Sequence, residues 1–251
     1  MKHQAMVVTF AIVTFAIVGL LGCAACSSSH GVPRSDAEVV PPSEVVDFNQ
    51  LYGENCSGCH GVEGSGGAGV ALANPTFLAI ADDSVIRHAA ANGVPGTPMP
   101  AFAQSAGGML TDKQIDALVR GIRSWAKPDA FRNITLPPYA TQSPGDVRRG
   151  ADAYRTYCSS CHGPDGRGGS KASSIVDGSY LALTTDQQLR TIVITGRPEL
   201  GAPDWRTDVQ GRPMSPQEIS DVVAWLSSQR PKFPGQPYST ASITQANGGS
   251  R

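Results

Sequence analysis

Tyr52-Gly53-Glu54-Asn55-Cys56-Ser57-Gly58-Cys59-His60-Gly61 recurs further along the chain as Tyr154-Arg155-Thr156-Tyr157-Cys158-Ser159-Ser160-Cys161-His162-Gly163. The glycines that follow stay in step, Gly64, Gly66 and Gly67 against Gly166, Gly168 and Gly169. The pattern C-x-x-C-H-G-x-x-G-x-G-G thus occurs twice, 102 positions apart, in a chain of 251 residues that holds only 6 Cys and 5 His. A duplicate of that length and fidelity marks an internal repeat, so the chain is organised as two similar units in tandem.

The copies agree beyond the motif. A helix from about Ser84 to Asn92 stops at Gly93, and its counterpart from Asp186 to Thr195 stops at Gly196, each glycine suiting a left-handed helix end. Capping boxes announce the second of these helices, Thr185-x-x-Gln188, and the last helix of each copy, Thr111-x-x-Gln114 and Ser215-x-x-Glu218. Pro216 suits a first helical position. Ile115, Leu118, Val119 and Ile122 in one copy, and Ile219, Val222, Val223 and Leu226 in the other, follow helical spacing. The expected fold is all-α, with units at 47–128 and 147–231, a Pro-rich linker at 129–146 and a disordered tail at 232–251.

Each unit has only about 80 residues, too few to build a sizeable core unaided. A large apolar group should therefore fill the middle. C-x-x-C-H is the attachment pattern of c-type haem. Cys56 and Cys59, then Cys158 and Cys161, would bond the two vinyl groups of a porphyrin, while His60 and His162 would bind the irons. The expectation is two covalently bound haem c groups. A zinc site formed by four Cys is the first alternative, but it must join pairs from two self-similar halves and leaves both histidines unexplained. A dithiol redox motif is the second, and it does not predict the histidine either.

On these residues the chain resembles the class I cytochrome c family, with two domains in tandem, each wrapping a few helices around one covalent haem. The resemblance implies a sixth iron ligand, usually Met, in a loop ahead of the last helix. Gly96-Thr97-Pro98-Met99-Pro100-Ala101 matches that loop, so Met99 is the ligand expected for the first iron, ahead of Met109. The second copy departs from the pattern. Pairing Gly196 with Gly93 places Ala202 opposite Met99, and the Met downstream, Met214, aligns with Leu110. The second iron is then five-coordinate, or bound by Met214, or by a less usual donor such as Lys171. Met214 also reads as a packing residue. The resemblance further assigns Pro75, against Gly178, as the residue whose carbonyl faces the first imidazole. His88 reads as a surface residue.

The amino terminus has the charged, apolar and small-residue order of an export signal over residues 1–26. Leu20-Leu21-Gly22-Cys23 resembles a bacterial lipobox, which would place a lipid on Cys23; an uncleaved anchor helix is the alternative. Either way the remainder is exported to the periplasmic face of a membrane, tethered through residues 27–46. Cys26 has no sequence partner.

With 20 Lys plus Arg against 21 Asp plus Glu, the chain has no basic field for nucleic acid. Its 28 Gly and 19 Pro exclude a coiled coil or a multi-span membrane protein. No nucleophile motif, paired carboxylates or phosphate loop is present. The expected function is electron transfer between respiratory partners, a membrane oxidoreductase or a terminal oxidase. A diheme oxidoreductase of the thiosulfate dehydrogenase or peroxidase type, or a gas-binding protein using the second haem, is the alternative.

Overall fold

Ten short helices, in two runs of the same order, carry the described fold. The computed structural model describes residues 40–206 and 209–231; the export segment with Cys23, most of the tether and the tail lie outside the described residues. The first copy comprises α1 (Phe48–Asn55), α2 (Ser57–His60), α3 (Pro75–Ile80), α4 (Asp83–Asn92) and α5 (Asp112–Ser124). The second comprises α6 (Val147–Tyr157), α7 (Ser159–His162), α8 (Gly178–Ala182), α9 (Asp186–Thr195) and α10 (Pro216–Ser228). Among the described residues there is no strand, and the fold is all-α as expected.

Local chemistry starts each helix. Asp47 and Asp146 accept hydrogen bonds from Gln50 N and Arg149 N, at 2.8 and 2.9 Å, to open α1 and α6. The three expected capping boxes form at Thr111, Thr185 and Ser215. Helix α4 begins one residue earlier than expected because Asp82 accepts from Val85 N at 2.9 Å. Gly93 and Gly196 have the positive φ expected of them, 69° and 63°, but their ψ values of −170° and −171° are extended, not left-handed helical. The chain leaves each helix at once in place of completing another turn.

The apolar faces read from the sequence are the buried ones. Ile115, Leu118, Val119 and Ile122 of α5 and Ile219, Val222, Val223 and Leu226 of α10 are all buried. Helix α5 packs on α1 and α4, and α10 on α6 and α9. At the first crossing a Cβ on Gly121 would stand 1.9 Å from the Phe48 ring; at the second a Cβ on Gly150 would stand 2.0 Å from the Asp221 carbonyl oxygen and 2.8 Å from Trp225 Cβ. Large and small residues have changed helices between the copies, which preserves close packing. Trp225 stacks on Tyr154 at 4.2 Å, whereas Trp125 meets Tyr52 edge-on at 5.1 Å.

Both copies lie within one unit, which begins at Ser43. Asn74 caps α3 through Oδ1 and donates from Nδ2 to the Thr195 carbonyl at the end of α9, 3.2 Å away. Ile80 packs against the apolar cluster of the second copy. Arg190, 2% exposed, donates to the carbonyls of Pro138 (2.9 Å) and Tyr139 (3.0 Å) and to Ser220 Oγ (3.1 Å). The segment between the copies is thereby fastened along the second one.

Candidate functional site

Helix α1 runs into a single further turn that carries the motif. Cys56 N donates to the Tyr52 carbonyl and His60 N to the Cys56 carbonyl, at 2.9 and 3.0 Å. Cys158 and His162 repeat both bonds at 2.8 and 3.0 Å. Positions i, i+3 and i+4 of a helical turn share a face, so each thiol pair and its imidazole are presented together. Tyr52 Oη donates to the Gly61 carbonyl at 2.9 Å, and Tyr154 Oη to that of Gly163, fixing the exit of the turn. This anchoring role is new relative to the sequence reading, although the two tyrosines align in it.

Each imidazole is held from behind by a backbone carbonyl. His60 Nδ1 lies 2.7 Å from the Val70 oxygen and His162 Nδ1 lies 2.8 Å from the Ser173 oxygen. A carbonyl only accepts, so Nδ1 carries the proton and Nε2 keeps its lone pair. Burial pulls the His60 pKa below its usual value, outweighing the Val70 bond, and favours that neutral ring. The expected Pro75 carbonyl is not the partner: Pro75 is the first residue of α3, and the glycine loop before it supplies the acceptor. That loop passes so close that a Cβ on Gly69 would stand 2.9 Å from the His60 ring.

The alternatives to haem lack support here. The Cys56 thiol is pushed up to about 11, first by burial and then by neighbouring Cys59, opposite to what a reactive dithiol requires. Among the described residues no group of three or more His, Cys, Asp or Glu is placed to hold one metal ion. Paired thiols on one face beside a neutral imidazole with its Nε2 lone pair fit a c-type haem. When bound, that group supplies a one-electron redox centre whose potential depends on axial ligand and outer hydrogen bonds.

Met99 is half-buried in the loop after α4, with its N–H donating to Thr97 Oγ1 at 3.2 Å and its carbonyl accepting from Val94 N at 3.1 Å. Met109 is 82% exposed. Met214 is 2% exposed within the apolar cluster that includes Trp205, Ile219 and Val222. Lys171 is exposed, as is His88, which pairs with Asn92 on α4.

The protein-family model described as cytochrome c oxidase, cbb3-type, subunit III matches residues 44–120 and 145–226. The cytochrome bc1 complex cytochrome c subunits of Mycobacterium tuberculosis and Mycobacterium bovis are each 28% identical over 183 residues, 70% of this chain and 60% of theirs. The chain thus spans about 60% of the length of these curated relatives. A chain of the Kuenenia stuttgartiensis reducing HAO-like protein complex is similar in structure, with 19% identity, a TM-score of 0.41 and coverage of 77% of this chain and all of that one. With both repeat copies matched, the chain belongs to the cytochrome c oxidase, cbb3-type, subunit III family, and it is a tandem diheme class I cytochrome c with two covalently bound haem c groups.

Proposed function

We propose that this electron-transfer cytochrome works at the periplasmic face of a membrane, accepting electrons from a quinol-oxidising complex and passing them towards a terminal oxidase. Cys56 and Cys59 bond the first haem and Cys158 and Cys161 the second; His60 and His162 bind the two irons, and Met99 is the sixth ligand of the first. The observation that carries this reading is the repeated imidazole bond, His60 Nδ1 to Val70 and His162 Nδ1 to Ser173, which aims an Nε2 lone pair beside each thiol pair. Carbonyl acceptors behind both rings also raise ligand basicity and so stabilise the oxidised iron.

The similarity to bc1 complex cytochrome c subunits supports a quinol-oxidising complex as donor. Residues 1–26 are an export and anchoring segment, with lipid on Cys23. Among the described residues no helix is long and apolar enough to cross a membrane, and the proposed anchor lies outside them.

The test is electron transfer by the full chain, matured with haem, in membranes from its own cell. Haem counting should give two per chain, and quinol should reduce them at a rate that an inhibitor of the quinol-oxidising complex abolishes. Two haems reduced equally fast with that complex inhibited would refute the proposed donor.

A further inference from the structure

The loops that follow α4 and α9 share one backbone design. After Gly93, Val94 N donates to the Met99 carbonyl at 3.1 Å; after Gly196, Arg197 N donates to the Ala202 carbonyl at 3.0 Å. A Cβ on Gly93 would meet the Met99 oxygen at 2.7 Å, and one on Gly196 would meet the Ala202 oxygen at 2.8 Å. The same bond, with the same span, after glycines of similar φ puts Ala202 on the backbone position of Met99. A methyl group stands where the first copy has a thioether.

The other donors are placed elsewhere. Met214 N donates to the Trp205 carbonyl at 2.8 Å, just as Leu110 N donates to that of Phe102 at 2.7 Å. Met214 and Leu110, 2% and 6% exposed, are therefore equivalent core residues. Lys171 is exposed and lies two residues before Ser173, whose carbonyl accepts from His162 Nδ1, in the segment that passes behind the ring. Beyond His162 the sequence contains no other His or Cys.

We propose that the iron held by His162 keeps its sixth position for an exogenous ligand, a small neutral diatomic molecule of the carbon monoxide class bound in the ferrous state. A neutral ligand suits the loop that carries Ala202, where Arg197 is paired with Glu199 and Arg206 with Asp204. Ala202, half-buried, adds an apolar methyl group. Binding would add one bond from the lone pair of the ligand to the iron, with no electron transferred and no proton moved.

The inference rests on the diheme assignment, and the experiment separates the two. The full chain, matured with haem, is reduced and its haem counted, and carbon monoxide is then titrated while the optical spectrum is recorded. Fewer than two haems would refute the diheme assignment. With two haems present, the expected result is one carbon monoxide per chain, with half of the haem absorbance responding. Met99→Ala should raise the stoichiometry to two, Ala202→Met should weaken binding by at least about tenfold, a loss of about 1.4 kcal/mol, and Met214→Leu should leave it at one. No response from the wild type overturns the proposal, and a response appearing only in Met214→Leu identifies Met214 as the ligand. Two carbon monoxide molecules on the wild type overturn it as well, because the copies would then be alike.

Discussion

Arg197 Nη2 donates to the Gly67 carbonyl at 2.7 Å, joining residues 130 positions apart. Gly67 belongs to the loop that passes behind His60, and Arg197 opens the loop that carries Ala202. One side chain therefore links the proximal wall of the first haem site to the distal wall of the second. Arg197→Ala would leave the Gly67 carbonyl and the Glu199 carboxylate without this partner. The expected loss is about 1.5–3 kcal/mol, read as a lower denaturant midpoint of the haem-loaded protein. Electron exchange between the two haems should slow in the same variant, as followed by fast kinetics after partial reduction.

Gly93→Ala tests the turn that positions Met99. The new Cβ would sit at φ 69° and within 2.7 Å of both the Met99 oxygen and Ala101 N, so the loop must move. Strain of this kind costs about 1–3 kcal/mol. The ferric spectrum should lose the weak charge-transfer band of thioether-bound iron, and the first haem should become reactive to carbon monoxide. A retained band would show that the loop holds Met99 without the glycine.

Asp221 predicts an acid limb of stability. Its nearly buried carboxylate accepts from Asp146 N (2.7 Å), Arg149 Nε (2.8 Å) and Gln217 Nε2 (2.9 Å). Burial opposes ionisation, yet these bonds outweigh it and hold the pKa below the usual carboxylate value. A lowered folded pKa gives stability that is complete above the unfolded value, about 4, and is lost as pH falls through the folded value. Asp221→Asn should therefore cost about 1–3 kcal/mol at neutral pH. Denaturation at a series of pH values should show that gap narrowing below about pH 4.

Cys23→Ala tests the anchor. The wild-type chain should fractionate with membranes and carry a diacylglycerol mass increment on its mature amino terminus. The variant should lose that increment and keep its haem content. If mass spectrometry shows an intact amino terminus beginning at Met1, the segment is an uncleaved helix.

Much of the framework was legible because its signals are short-range. Thr111 with Gln114, and Ser215 with Glu218, form the capping boxes that their spacing announced. The apolar positions of α5 and α10 are buried as periodicity required. The Pro75 expectation failed for a physical reason. Every residue has a carbonyl, so no side-chain pattern marks the Val70 and Ser173 oxygens as the imidazole partners. The exchange of Phe48 and Gly121 for Gly150 and Trp225 was also hidden, since each half of the pair lies on a different helix.

The amino-acid sequence alone determined the duplication, the helical class, the two covalent haems and the grouping of two Cys and one His in each motif. The duplication is read from a motif that recurs intact, and the rest depends on residues within one turn of each other, where spacing is geometry. Tertiary structure decided which carbonyls orient His60 and His162, that Met214 shares the core role of Leu110, and that Arg197 reaches Gly67. Each of these depends on where the chain returns after a loop, and that path is set by packing of whole helices.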